Sequence, residues 1–208
     1  MLIDSTRASY DTAATNYHQL LKDDLREAPF DRAALDLFAE LLPVGPVGDL
    51  GCGTGRITAY LAARGLDAFG IDLSPGMIEV ARQHYPGLRF EVGSLFDLDL
   101  NDGELAGALA WYSLVHTPRE DLPAVFAELY RVLRPGGYLV HAFKVGASSR
   151  HLATAYGHDL DLEVYTFDPG DVSVLLAAAG FAEVATLTRA AMLSEKDPQA
   201  YVIVRKPE

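Results

Sequence analysis

The residues able to do chemistry are concentrated in a glycine turn, one acid beyond it and a scatter of histidines. The turn is Asp49-Leu50-Gly51-Cys52-Gly53-Thr54-Gly55. Val47 to Leu50 reads as a short buried strand, the glycines as a turn, and the residues from Thr54 as a helix. Glycine tolerates positive φ and lets a ligand approach the backbone closely. The helix start behind it presents unpaired N–H groups. Strand, glycine turn and helix start together make a nucleotide-cofactor site at the carboxyl end of a parallel sheet. Asp72 follows Gly51 by about 20 residues, at the tip of a second strand, the place from which an acid meets both ribose hydroxyls. A carboxylate suits that task because it offers two acceptor oxygens to two donors. Ser74, just before Pro75, reads as the cap of the next helix, so Asp72 is not needed for capping.

The spacing discriminates between nucleotides. A dinucleotide fingerprint, G-x-G-x-x-G/A, would put its third small residue on Arg56, and a Walker A loop needs a Gly-Lys pair that this chain does not contain. The pattern Asp-x-Gly-x-Gly-x-Gly from Asp49 to Gly55 instead resembles motif I of the class I S-adenosylmethionine-dependent methyltransferases. Two further segments are similar to that family: Leu-x-Pro-Gly-Gly at Leu133 to Gly137, and Tyr-Asp-x-x-Ala-x-x-Tyr at Tyr10, Asp11, Ala14 and Tyr17, which in many small-molecule members covers the cofactor. The resemblance implies that Asp49 lies below the methionine moiety and that Met77 packs on the adenine ring. It also implies an adenine contact at the position of Ser94, where the family often has an aspartate; a serine hydroxyl there is shorter and neutral. The cofactor-binding candidates are Tyr17, Asp49, Gly51, Cys52, Gly53, Asp72, Leu73, Met77, Ser94, Leu95 and Trp111. The implied reaction is an in-line displacement at the sulfonium methyl by an oxygen or nitrogen nucleophile of an acceptor. No metal is needed, and a base is needed only if the acceptor keeps its proton at neutral pH.

Histidine is the natural base. His116 follows the fourth strand at the edge where acceptors bind, and His158 lies in the segment after the fifth strand; both are catalytic candidates. Tyr10, Tyr112, His151 and Tyr156 are the candidates for the acceptor wall. His141 falls mid-strand and reads as structural. The histidine spacings match no compact metal-ligand motif. Cys52, the one cysteine, reads as a small buried side chain rather than a reactive thiol.

The elements that must position these residues alternate regularly. A helix over residues 4–24 carries Tyr10 and Tyr17 on one face, two turns apart. Residues 30–42 repeat apolar side chains at helical spacing, and Pro43 to Pro46 lead into the first strand. The spacing then predicts a helix from Thr54 to Arg64, a strand over 66–71, a helix over 75–84, a strand over 88–92 and a strand over 105–112. A helix over 119–133, a turn at Arg134 to Gly137 and a strand over 138–145 follow. Residues 146–167 read as a long irregular connection, rich in Tyr and His, of the kind that is usually functional. A helix over 168–179, capped by Asp168 before Pro169, precedes two strands over 181–190 and 200–206 that should pair antiparallel.

Alternating strands and helices argue for a parallel sheet covered on both faces. The expected fold is α/β and Rossmann-like, and the resemblance to the class I methyltransferases implies seven strands in the order 3-2-1-4-5-7-6, mostly parallel with one antiparallel edge strand. The expected organisation is a single domain over 1–208: a helical lid over 1–42, a cofactor core over 44–145, an acceptor-site insertion over 146–167, and a final helix and strand pair over 168–208. A net charge of −12 disfavours a nucleic-acid partner, since phosphate contacts need Lys and Arg. No apolar run is long enough to span a membrane, and a single cysteine fits a reducing cytoplasm. The expected acceptor is a small molecule and the expected state a monomer or homodimer. The competing readings are a macromolecule-directed methyltransferase, a non-catalytic S-adenosylmethionine-binding protein and a nicotinamide enzyme on a related fold.

Overall fold

The strand Leu105–Trp111 (Leu-Ala-Gly-Ala-Leu-Ala-Trp) is buried at every position. A run with no polar alternation can be satisfied only by cover on both faces, and the rest of the chain supplies it. A computed structural model describes residues 2–192 and 195–208. In chain order the helices are α1 (Leu2–Leu21), α2 (Pro29–Leu41), α3 (Arg56–Ala62), α4 (Pro75–His84), α5 (Leu122–Val132) and α6 (Pro169–Ala178). The strands are β1 (Pro46–Leu50), β2 (Asp67–Asp72), β3 (Phe90–Val92), β4 (Leu105–Trp111), β5 (Leu133–Lys144), β6 (Ser149–Ala155), β7 (His158–Tyr165), β8 (Ala182–Arg189) and β9 (Gln199–Arg205).

Seven strands form one sheet in the order β3-β2-β1-β4-β5-β9-β8. Counting only the strands of this sheet, that is the expected 3-2-1-4-5-7-6. The five from β3 to β5 are mutually parallel, and β9 pairs antiparallel with both β5 and β8. On one face, Leu122, Phe126 and Leu129 of α5 and Val172 and Leu176 of α6 close a core over Leu105, Leu139 and Val202. On the other, Leu35 and Phe38 of α2 and Ile57 and Leu61 of α3 pack on Val47, Leu109 and Ile203.

Four sequence expectations change. Residues 146–167 are not irregular: β6 and β7 form an antiparallel hairpin. Its two-residue turn is Tyr156-Gly157, with both residues at positive φ (54° and 80°), the geometry that joins twisted strands most easily. α2 is no part of a lid, because its apolar face is built into the sheet's core; α1 alone lies over the carboxyl edge. β5 begins at Leu133, upstream of the expected turn, and a register shift opposite Leu105 and Gly107 absorbs the two glycines. The helix expected over 119–133 divides into a short 3-10 turn, Arg119–Asp121, and α5. The proline within Leu122-Pro123 suits the first turn of α5, where its missing N–H costs nothing.

Candidate active site

The glycine turn is fixed to the second strand from both sides. Gly51 and Cys52 donate their N–H groups to the Ile71 carbonyl (2.7 and 3.0 Å). Gly53 donates to Asp72 Oδ2 (2.7 Å), and Ser74 donates its backbone N–H to Asp72 Oδ1 (2.9 Å). Asp72 is therefore held at the strand tip by two amides, one on each oxygen, which leaves each oxygen with acceptor capacity, and it lines the cavity. A methyl group on Gly51 would sit 2.2 Å from Ser113 Cβ, so no other residue fits there. Gly53 has φ +54°, and the nearest atom to a Cβ there would be the Tyr17 ring at 3.7 Å, across the space a ligand needs.

Asp49 lies under this turn and is fully buried. Thr58 donates its hydroxyl to Oδ2 (2.7 Å), while Oδ1 has no protein partner. Burial pushes the carboxyl up to about 6, partly offset by the Thr58 hydrogen bond.

α1 forms the roof. Asp11 Oδ1 accepts from Ser74 Oγ (2.6 Å) and from Gly76 N (2.9 Å), while Ser74 Oγ caps α4 by accepting from Met77 N (3.0 Å). Ser74 thus bonds both the strand-tip acid and the lid. His18 Nδ1 meets Thr54 Oγ1 (3.2 Å) near the lid's far end. Tyr10 and Tyr17 meet edge to face with ring centroids 6.0 Å apart. Behind α1 stands the β6–β7 hairpin: Ala13 packs on Leu160 and Leu162, Ser9 Oγ accepts from Asp161 N (3.1 Å), and Asn16 donates to the Tyr156 carbonyl (3.0 Å).

His116 follows β4. Its Nδ1 is 2.6 Å from the Glu163 carbonyl and its Nε2 2.7 Å from the Tyr10 hydroxyl. A carbonyl can only accept, so Nδ1 carries the proton, Nε2 is the acceptor and Tyr10 donates to it. Burial lowers the imidazole's proton affinity, opposed by the Glu163 hydrogen bond.

One cavity brings together Tyr10, Tyr17, Gly51, Gly53, Asp72 and Leu73 with Met77, Ser94, Leu95, Trp111, Tyr112 and His116. The other sequence candidates stand outside it. Asp49 is beneath the floor. The Cys52 side chain turns away to pack on Ile78 and Phe90. His151 is on the exposed side of the hairpin, paired with Asp161, and His158 opens β7 away from the cavity. Tyr156 stacks edge to face on Tyr17 (5.0 Å) and so backs the roof instead of forming a wall. These last three belong to the hairpin, which packs on α1 and on the segment after β4 and leaves their side chains off the cavity lining. Ser94 Oγ accepts from Phe96 N (3.2 Å), closing its own loop.

Sequence reasoning missed Thr6, Arg7, Ser74, Phe96, Ser113 and Thr117 on the walls. Thr6 and Arg7 precede Tyr10 by one helical turn, so the face shared by Tyr10 and Tyr17 already pointed to them. Ser113 and Thr117 flank His116, but no spacing rule distinguishes them. Tyr112 has φ +55°, uncommon for an aromatic residue, and its buried hydroxyl and the Trp111 indole N–H both lack protein partners. Such outliers cluster at functional sites. Among the described residues no group of three or more His, Cys, Asp or Glu is placed to hold a metal.

The fold and the site together define a Rossmann-like domain whose strand-tip acid and glycine turn suit the ribose and backbone-facing parts of S-adenosylmethionine. Comparison with known proteins agrees. A family model described as a methyltransferase domain matches residues 47–137. A trans-aconitate 2-methyltransferase of Deinococcus radiodurans is 38% identical over 183 residues, covering 80% of this chain and 65% of that protein. A malonyl-[acyl-carrier protein] O-methyltransferase of Dechloromonas aromatica is 36% identical over 186 residues, covering 86% and 66%. Among solved structures, a SAM-dependent methyltransferase from Methanosarcina mazei superposes with a TM-score of 0.73 at 20% identity, covering 82% of this chain and 97% of that one. The chain carries a methyltransferase domain over residues 47–137 on the fold of S-adenosylmethionine-dependent methyltransferases. It spans between about half and two thirds of the length of the first curated relatives it matches.

Proposed function

We propose that this protein transfers a methyl group from S-adenosylmethionine to an oxygen or nitrogen nucleophile of a small-molecule acceptor. The observation that carries the reading is the Asp72–Gly53 pairing at the floor of a cavity roofed by Tyr10 and Tyr17. When bound, the cofactor supplies an activated sulfonium methyl group. The chain's part is to hold, orient and exclude water. Asp72 accepts the ribose hydroxyls with the lone pairs its backbone partners leave open. Leu73, Met77 and Leu95 give the adenine an apolar slot beside Ser94. Gly51, Gly53 and the Cys52 backbone admit the methionine moiety over Asp49, with Tyr17 and Trp111 closing the sides. Tyr10 and Tyr112 face the acceptor, and His116 holds the Tyr10 hydroxyl from behind.

Relatives named for trans-aconitate and for malonyl-[acyl-carrier protein] support an acceptor bearing an oxygen nucleophile. The net charge of −12 disfavours nucleic acid. Among the described residues no helix is long and apolar enough to cross a membrane, and a cytoplasmic protein, monomer or homodimer, is the reading consistent with this. The domain divisions we propose are α1 as lid, 44–145 as cofactor core, 146–167 as the lid's outer support and 168–208 as the closing helix and strand pair. The test is calorimetric titration with S-adenosylhomocysteine and NAD, followed by transfer of labelled methyl to candidate acceptors. Binding of NAD in place of S-adenosylhomocysteine would refute it.

A further inference from the structure

The notable feature of His116 is that neither ring nitrogen is free. Nδ1 is committed to the Glu163 carbonyl and Nε2 receives the Tyr10 proton. A histidine in this state cannot itself meet an acceptor. The group that can is Tyr10. Its one proton goes to His116, so towards every other neighbour, the Tyr156 hydroxyl beside it included, its oxygen can only accept; Tyr10 lines the same cavity as Gly53 and Asp72. Tyr10 Oη therefore repels a carboxylate oxygen and accepts an O–H or N–H.

We propose, on the methyltransferase reading, that Tyr10 is the catalytic proton acceptor, that His116 is its positioning and proton-storing partner, and that the acceptor is a protonated X–H nucleophile such as a phenol, alcohol or amine. The step balances. The acceptor's X–H bond breaks and its proton goes to Tyr10 Oη, whose own proton passes to His116 Nε2. The lone pair left on X forms the bond to the methyl carbon. The S–C bond breaks with its electron pair remaining on sulfur, which leaves as the neutral thioether of S-adenosylhomocysteine. The imidazolium so formed keeps its Nδ1–H on the Glu163 carbonyl and gives its extra proton to water once the lid opens.

The surroundings suit this. The groups facing the pair are Tyr17 and Tyr156 beside Tyr10, Asp72 across the cavity, and Lys144 on β5. Tyr10 remains a phenol, and burial keeps His116 neutral between turnovers while the Glu163 carbonyl, on Nδ1–H, favours the imidazolium once a proton arrives. The named acceptors of the relatives are acids, ionised at neutral pH, for which such a relay has no use. The relay therefore marks a point at which this chain's acceptor chemistry departs from theirs.

The test uses the whole chain with S-adenosylmethionine and four probe acceptors: catechol, 4-nitrophenol at mildly alkaline pH where it is already ionised, a primary amine (histamine), and trans-aconitate. The variants are Tyr10→Phe, which keeps the ring against Tyr17, and His116→Asn, whose amide can still donate to Glu163. The expected result is transfer to catechol or histamine that falls about 100-fold or more in kcat in both variants. KM and the dissociation constant for S-adenosylhomocysteine should stay within about twofold. Any transfer to 4-nitrophenolate should fall by less than about fivefold, since that probe brings no proton; a purely structural role for Tyr10 would slow all probes alike. Transfer to trans-aconitate alone, equal losses on ionised and protonated probes, or no transfer to any X–H probe would each overturn the relay. If S-adenosylhomocysteine fails to bind the wild type, the methyltransferase reading itself fails, which calorimetry registers separately.

Discussion

Gly76→Ala separates the lid from the fold. Gly76 is the second residue of α4, and an added Cβ would lie 3.0 Å from Asp11 Cα, 3.0 Å from Asp11 O and 3.2 Å from Asp11 Oδ1. The first two are backbone atoms of α1, so relief requires the lid helix to move by several tenths of an ångström. That movement strains the two hydrogen bonds to Asp11, from Ser74 Oγ and Gly76 N. Each involves a carboxylate near the surface and is worth about 1 kcal/mol there, so lid docking loses about 2 kcal/mol, or about 30-fold in the closed population. Alanine meanwhile improves α4 by up to about 1 kcal/mol of helix propensity. The expected signature is a melting temperature unchanged or lowered by only a few degrees, since the helix gain offsets part of the docking loss, with faster amide exchange in α1 and affinity for S-adenosylhomocysteine reduced about 10- to 30-fold. Exchange in α1 and affinity both matching the wild type would refute the reasoning, because the steric argument leaves α1 nowhere to stay.

Asp49→Asn should stabilise the unliganded protein at neutral pH. The folded carboxyl titrates at about 6 against an ordinary 3.8, so the native chain binds more protons in between and loses stability as pH rises from about 4 to about 6. That window corresponds to roughly 3 kcal/mol at most. Denaturation of wild type and variant at pH 4.5 and pH 7.5 should show the gap widening with pH, and a constant gap would contradict the assignment. Asp72→Ala should weaken S-adenosylhomocysteine binding by about 1.5–3 kcal/mol, as for hydrogen bonds to a charged group, with an unchanged far-ultraviolet spectrum; calorimetry decides it. Tyr156→Ala should lower cofactor affinity as well as turnover, because Tyr156 backs Tyr17 (5.0 Å); an affinity within about 0.5 kcal/mol of wild type would return the hairpin to a role at the acceptor alone.

The cofactor half of the site was legible in the chain because it is local. Asp49, Gly51, Gly53, Asp72 and the Ser74 cap depend on positive φ, strand tips and helix starts, all set by near neighbours in sequence, and α4 falls over Pro75–His84 as its cap and spacing require. Alternation called for a parallel sheet and the missing helix between the last two strands for an antiparallel pair, while the strand order itself came from the resemblance to the methyltransferase fold. The hairpin was half legible. Leu160, Leu162 and Val164 alternate as a strand with one buried face, but Tyr156 in a left-handed turn carries none of the Asn-Gly signal such turns normally show. Tyrosine is tolerated there because its ring packs on Tyr10 and Tyr17, residues far away in the chain.

The other half belongs to the tertiary structure. Sequence position made His116 and His158 catalytic candidates and His151 and Tyr156 candidates for the acceptor wall, since each lay after a strand that ends at the same edge. Packing of the hairpin against α1 and the segment after β4 left His151, His158 and Tyr156 off the cavity lining, and it delivered the Glu163 carbonyl to His116 Nδ1. That single contact fixes the imidazole tautomer, which fixes the direction of the Tyr10 hydrogen bond, which fixes what the cavity offers an acceptor. A backbone carbonyl has no side-chain identity to read in a sequence. The glycine turn and its acid are therefore determined by the sequence alone, while the polarity of Tyr10 exists only once α1, β4 and β7 have packed together.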